Sequence, residues 1–213
     1  MVRGLEKGQK PALLISEMQR AMADRSLQDR DLSQNIEARG IVPRIAFLAD
    51  RFRAVGAPVV HCTLVPAAGF EGFPVNCAIS ANLRKRGLLQ KGAPGADIIE
   101  ALTPAPQDIV SERRSGMTAF HATELERILR GLGVSTVVLA GVSTNIALLG
   151  IAIEAVNRMF EVVVPRDCVS SGDAGGAGDT NLRVHFPLLG AVTDADSVAE
   201  AISNRLNSEN FIA

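Results

Sequence analysis

The 213-residue chain contains no tryptophan, no tyrosine and only three cysteines and three histidines. Because tryptophan and tyrosine are absent, the aromatic platforms on which nucleobases stack are scarce. The net charge is −1 at pH 7, and no block of basic residues stands out. The composition therefore argues against nucleic acid or an anionic membrane as the main partner.

Long apolar runs and targeting signals are lacking as well. An apolar run such as "VSTVVLAGV" (134–142) is far too short to span a bilayer. The N-terminal residues carry charges without an apolar stretch and a small-residue cleavage site, so we expect no signal peptide. Cys62, Cys77 and Cys168 are odd in number and show no paired spacing, which is typical of a reducing cytosol. We therefore expect a cytoplasmic protein.

Strand-like apolar runs alternate with helix-like segments along the whole chain. The runs at 11–18, 57–65, 134–142 and 160–167 are typical of parallel strands buried on both faces, and "DIVSER" (108–113) is a shorter strand. Segments with helical spacing lie between most of the runs, as crossover helices do. The pattern predicts a three-layer α/β/α fold with a mostly parallel sheet and Rossmann-like topology, in one domain over residues 1–213.

Ligands of open parallel sheets bind beyond the carboxyl ends of the strands, and this rule selects Glu17 after the first run. A carboxylate at the end of a buried apolar strand is costly unless it is paired or protonated, and a carboxyl so placed can act as a general acid or base. Of the adjacent Arg113 and Arg114, the spacing to Thr118 favours Arg114 as the inward residue. The alternative for Glu17 is a salt bridge to Arg114 that only holds two loops together.

Three stretches carry a family resemblance: "ALLISEMQ", "ERRSGMTAFHATELERILRGLGVSTVVLAGVSTNIALLGIAIEAV" and "EVVVPRDCVSS". Through them the chain resembles the isochorismatase-like (cysteine hydrolase) superfamily over nearly its whole length. The amidases of that family use an Asp after the first strand, a Lys before a small-residue-plus-Phe step, and a Cys on a loop entering a helix. Matched position by position, these are Glu17, Arg114 and Ala147 here. The resemblance also implies a non-proline cis peptide at Val142–Ser143.

Ala147 has no nucleophile, so the acyl-thioester route of the amidases is closed at that position. Enzymes resembling true isochorismatases also have a small residue there, and they cleave a vinyl ether that the acid after the first strand protonates. The resemblance therefore implies that Glu17 acts as the acid and that Arg114 binds a substrate carboxylate. We expect a hydrolase of a small carboxylated metabolite that works by acid–base chemistry without a cysteine.

Further substrate contacts are expected from the loop residues Val142, Ser143 and Asn145, from Thr118 in the small-residue-plus-Phe step, and from His61 after the second strand. Structural roles remain open for them: Ser143 and Asn145 as helix-start residues, His61 as a satisfied interior histidine. Zinc-binding relatives use an Asp and two His at D-x-H spacing, which this sequence lacks. We therefore expect no metal and no cofactor.

Two other functions stay open from the sequence. The chain is either a degenerate member that binds a small molecule or partner without turnover, or an amidase-type cysteine hydrolase whose nucleophile has been replaced by Ala147. The simultaneous changes at the Glu17 and Arg114 positions argue against a simple replacement of one cysteine. Family members commonly form dimers or higher homo-oligomers, and the apolar helix at 146–159 is suited to such an interface.

Overall fold

The computed structural model describes residues 2–172 and 176–209, with side chains as far as residue 204. A seven-stranded sheet forms the centre, and every strand pairing within it is parallel, so the predicted mostly parallel sheet is confirmed. The unbroken Val, Ile and Leu runs form strands because both faces of such a sheet are covered. The strands are β1 (Pro11–Ser16), β2 (Val59–Leu64), β3 (Ile109–Arg113), β4 (Thr136–Val142), β5 (Glu161–Pro165), β6 (Val169–Ser170) and β7 (Ala191–Thr193).

The order of the strands places one pair of carboxyl ends at the centre of the sheet. The order is β3-β2-β1-β4-β5-β7, with β6 pairing with β4. The chain builds outward from β1 in one direction and then restarts at β4 on the other side. Because ligands of open α/β sheets bind where the strand order reverses, the ends of β1 and β4 mark the expected site.

Helices cover both faces of the sheet, which confirms the three-layer α/β/α architecture. Leu13 and Ile15 of β1 pack towards α2, α3 and α9, whereas Ala12 and Leu14 pack towards α5, α6 and α8. This two-residue alternation divides the core into two apolar clusters. The helices are α1 (Arg20–Ala23), α2 (Asp31–Ala38), α3 (Ile41–Ala54), α4 (Ala78–Arg86), α5 (Leu125–Gly131), α6 (Ala147–Asn157), α7 (Ala177–Thr180), α8 (Phe186–Leu189) and α9 (Ala195–Glu209).

Two helical features differ from the expectations drawn from the sequence. The helical segment 33–56 is interrupted at Gly40, whose φ of +61° separates α2 from α3. The irregular insertion from Val65 to Pro106 contains α4, in which Ser80 is the one buried residue. An exposed helix has little apolar periodicity, so its sequence gives a weak helical signal. Among the described residues, no helix combines the length and apolar character needed to cross a bilayer.

Gly141 holds β1 and β4 close together immediately before the expected site. Its φ is +98°, and an added Cβ would lie 2.2 Å from the carbonyl oxygen of Ser16. We expect Gly141→Ala to destabilise the fold by more than about 4 kcal/mol, because strained backbone and a backbone clash act together. Urea unfolding checks this, with Gly131→Ala as the control, since its Cβ would meet nothing within 4 Å. A cost as small for Gly141→Ala as for the control would contradict this role.

Candidate active site at the ends of β1 and β4

A cavity of about 440 Å³ lies at the carboxyl ends of β1, β2, β3 and β4, within the size range of small-molecule sites. Its position agrees with the reversal of strand order between β1 and β4. Five charged residues line it: Glu17, Arg30, Asp31, Arg86 and Arg113. The apolar lining is Met22, Leu32, Leu64, Ile79, Leu83, Met117, Val142, Ile146 and Ala147, and the remaining residues are Gly116, Ser143, Asn145 and Gly172.

Glu17 is the residue with which the chain leaves β1. Its φ of +52° is a left-handed conformation that costs a non-glycine residue roughly 1–2 kcal/mol. Its N–H donates to the carbonyl oxygen of Cys62 at 2.9 Å, which keeps this residue attached to β2. Strained residues of this kind cluster at functional sites. The structure thus places the Glu17 carboxyl, with its side chain 11% exposed, in the cavity wall.

Arg113 is the partner of Glu17. Its Nη2 donates to Glu17 Oε1, and its side chain is 3% exposed. Its Nε donates to the carbonyl oxygen of Gly116 at 3.4 Å, a weak contact from the turn that follows β3. Within the part of the chain that the structure describes, the second carboxylate oxygen of Glu17 has no hydrogen-bond donor. One oxygen is therefore fixed by the guanidinium, and the other is available to a ligand.

The prediction that Arg114 is the inward arginine is wrong. Side chains alternate along β3, so Ser111 and Arg113 are buried whereas Glu112 and Arg114 are exposed. The prediction relied on the spacing between the arginines and Thr118. That spacing does not report side-chain direction, because the chain turns between β3 and Thr118, with Gly116 at φ +81°. The guanidinium that the resemblance assigned to Arg114 is supplied by Arg113.

The loop after β4 brings the expected residues together. Val142, Ser143, Asn145 and Ala147 all line the cavity, and the Val142–Ser143 peptide is cis as the resemblance implied. Ala147 is the first residue of α6 and is 4% exposed. The N–H groups in the first turn of a helix lack intrahelical acceptors and carry partial positive charge. A methyl group therefore stands where a helix N-terminus would stabilise an anion.

Two residues predicted to contact the substrate, His61 and Thr118, do not line the cavity. His61 is inside β2, which continues to Leu64, and its Nε2 lies 3.2 Å from Oδ2 of Asp108. Burial lowers the pKa of His61, more than Asp108 raises it, which favours the neutral ring. Thr118 donates through Oγ1 to Glu154 Oε1 of α6 at 2.5 Å. The structure therefore corrects both positions: His61 and Thr118 join elements of the fold outside the cavity lining.

The three thiols lie outside the cavity lining too. Burial raises the pKa of Cys62 to about 12, and burial likewise raises the pKa of Cys168. Cys77 is exposed at the start of α4, and hydrogen bonds with Ser80 lower its pKa. The two buried thiols are therefore held in their unreactive, protonated form at neutral pH.

Sequence reasoning missed two cationic residues of the cavity. Arg30 precedes α2 and Arg86 ends α4, so neither follows a strand of the sheet. With Arg113 they give three guanidinium groups against the carboxylates of Glu17 and Asp31. The lining therefore carries an excess of one positive charge. Among the side chains that the structure describes, no three His, Cys, Asp or Glu residues converge in a way that could hold a metal ion.

Comparison with known proteins agrees with this architecture. Residues 11–197 match the family model described as the isochorismatase domain. The chain is 28% identical over 207 residues to the ureidoacrylate amidohydrolase of Methylorubrum extorquens, covering 90% of this chain and 82% of that protein.

Solved structures show the same fold. A cysteine hydrolase from Pseudomonas syringae pv. phaseolicola superposes with a TM-score of 0.84 at 21% identity, over 96% of this chain and 98% of the other. An isochorismatase family protein from Desulfovibrio vulgaris gives 0.79 at 25% identity, over 92% and 100%. With the family model covering most of its length, the chain belongs to the isochorismatase family of hydrolases.

Proposed function

We propose that the protein hydrolyses a small carboxylated metabolite by acid–base chemistry through Glu17, without a covalent cysteine intermediate. The observation that carries this proposal is the pairing of Glu17 with Arg113 in the wall of a cavity where Ala147 begins α6. The excess of arginines in the lining supports an anionic substrate. One relative of the chain is named ureidoacrylate amidohydrolase, and ureidoacrylate is a small carboxylate. This name supports the same substrate class.

In the proposed reaction the two carboxyl oxygens of Glu17 have different roles. Arg113 fixes Oε1, so the proton that Glu17 transfers resides on the other oxygen. On a vinyl ether, that proton adds to the terminal alkene carbon and the ether carbon becomes an oxocarbenium ion. Water adds to this carbon and returns a proton to the Glu17 carboxylate. The resulting hemiketal breaks its C–O bond as its hydroxyl proton moves to the leaving oxygen, which releases an alcohol and a ketone. The Glu17 carboxyl is regenerated with no group left on the chain.

A binding protein without turnover is the second candidate. The observation that favours it is the closed Glu17–Arg113 ion pair, which occupies one carboxylate oxygen before any ligand enters. Assays of carboxylated vinyl ethers and carboxylated amides separate the two functions. Multiple turnover of a member of either class supports the hydrolase, whereas retention of such compounds with no product supports the binding protein.

Ala147→Cys tests whether only a thiol is missing from an amidase. We expect the new thiol to react readily with iodoacetamide, because the start of α6 stabilises a thiolate. Amide hydrolysis should nevertheless stay within about tenfold of wild type, because Arg113 stands where the amidases have a lysine, and a guanidinium is a poor proton donor to a leaving amine. Wild type is the control for alkylation: exposed Cys77 should react in both chains and buried Cys62 in neither, so the variant should gain one alkylated site, at residue 147. Amidase activity that rises 100-fold or more would favour a replaced nucleophile instead.

The proposal includes the domain organisation, the cellular location and the oligomeric state of the protein. It treats residues 1–213 as one cytoplasmic domain, supported by a sheet that includes strands from both halves of the chain and by cysteines that are all free. It also makes the protein a homo-oligomer. Ile153 and Val156 of α6, and Ile146 directly before it, support this assignment, since they are large apolar side chains exposed to solvent.

A further inference from the structure

Arg30 stands out among the cationic residues of the cavity because it takes part in no ion pair within the part of the chain that the structure describes. Its Nε is buried and, among the described residues, has no hydrogen-bond partner. Its Nη2 contacts the carbonyl oxygen of Ala21 at 3.4 Å and Sδ of Met22 at 3.0 Å. A thioether is a weak acceptor and neither partner carries a charge. The guanidinium is thus half-buried and weakly satisfied.

The neighbours of Arg30 make this placement less favourable. Arg86 lies close enough that its positive charge, after burial, contributes to a lowered pKa for Arg30, and the charge of Glu17 only partly opposes this. Asp31 is the next residue, but no ion pair joins it to Arg30 within the described part of the chain. Partly buried charge without a partner costs stability. A ligand that brings a negative charge would remove this cost.

The other two guanidinium groups of the cavity are less suited to bind the negative charge of a ligand. Arg113 is engaged by Glu17 at the floor of the cavity, and Arg86 is exposed at the end of α4. Arg30 is close enough to both Arg86 and Glu17 to interact with their charges, and the apolar side chains of Leu32 and Leu83 line the same cavity. This combination suits a short hydrocarbon chain that ends in a carboxylate, because a guanidinium fork binds a carboxylate with two parallel hydrogen bonds.

We propose that Arg30 is a specificity-determining residue that binds a carboxylate of the substrate, opposite to the group on which Glu17 acts. The inference rests on the proposed function for the identity of the ligand as a substrate, but the binding site itself does not require turnover. Compounds that lack a carboxylate at this end should therefore be poor ligands. A carboxylate bound here would give the guanidinium of Arg30 the anionic partner that the described residues do not provide.

Binding of succinate tests the inference without requiring turnover of a substrate. Calorimetry at low ionic strength compares succinate with succinamide, a neutral compound of the same length. We expect wild type to bind succinate and to bind succinamide at least tenfold more weakly. Arg30→Gln should weaken succinate binding at least tenfold and Arg30→Lys by less, because lysine keeps the charge but loses the fork. Arg84→Gln is the matched control, since Arg84 is exposed on α4 outside the cavity lining.

The variants also report on folding and on the proposed function separately. Thermal unfolding of Arg30→Gln should occur no lower than in wild type, because the substitution removes an unpartnered charge. Glu17→Gln should still bind succinate through Arg30. Succinate binding that is absent in wild type, or unchanged in both Arg30 variants, overturns the inference whatever the turnover. Arg30-dependent binding with no hydrolysis of any carboxylated substrate supports the inference and overturns the proposed function.

Discussion

Glu17→Gln is expected to lower turnover of a carboxylated substrate at least 100-fold. A positioned general acid or base contributes roughly 10²–10⁴ to a rate, and an amide neither gives nor takes a proton at neutral pH. The substitution keeps the shape of the side chain, and its amide oxygen can still accept from Arg113. The loss should therefore appear in kcat, with the fold intact by circular dichroism and substrate affinity changed little.

Glu17→Asp is the matched control for this experiment. Aspartate retains the carboxyl but is shorter by one methylene, so we expect partial activity, between wild type and Glu17→Gln. Equal rates for wild type and Glu17→Gln would remove Glu17 from the reaction. A loss that Glu17→Asp shares in full would instead show that the position of the carboxyl matters as much as its presence, since aspartate keeps the group but moves it.

Arg113→Met is expected to destabilise the protein by about 3–5 kcal/mol, because it leaves the carboxylate of Glu17 buried without its partner. Arg114→Met should cost less than about 0.5 kcal/mol, since that side chain is exposed. The two residues are adjacent and chemically identical, so the pair isolates the effect of position. Urea unfolding of both variants measures the difference.

A double-mutant cycle strengthens this test. Glu17→Leu combined with Arg113→Met replaces the buried ion pair by apolar side chains, which is often neutral or stabilising. The double variant should therefore be more stable than Arg113→Met alone, and its cost should be smaller than the summed costs of Glu17→Leu and Arg113→Met, which reveals coupling between the two sites. Equal costs for Arg113→Met and Arg114→Met would contradict the inward position of Arg113 and with it the geometry of the site.

The fold was largely predictable from the sequence because its signals are local and strong. Unbroken apolar runs identified the four main strands, and the order of strands and helices predicted a parallel sheet with covered faces. The rule that ligands bind at the carboxyl ends selected Glu17 and the loop at 141–145, and the family resemblance added Ala147. Glu17, Val142, Ser143, Asn145 and Ala147 line the cavity. These residues follow strands directly, so the strand register places them.

The errors arose where position depends on turns or on distant elements. Arg114 was preferred over Arg113 because the count crossed a turn, in which alternation of side chains does not hold. His61 was placed after β2 although the predicted run at 57–65 contains it, and in the structure the strand continues to Leu64. Arg30 could not be found from the pattern, because the fold alone brings the start of α2 to the cavity.

Turnover by a chain without cysteine tests the central claim most directly. Cys62→Ala, Cys77→Ala and Cys168→Ala together remove every thiol, and Glu17→Gln is then added to that background. The proposed function predicts that the thiol-free chain hydrolyses its carboxylated substrate at a rate close to wild type and that the added Glu17→Gln lowers this rate at least 100-fold. A folded thiol-free chain without activity, or one that stays active after Glu17→Gln, would contradict it.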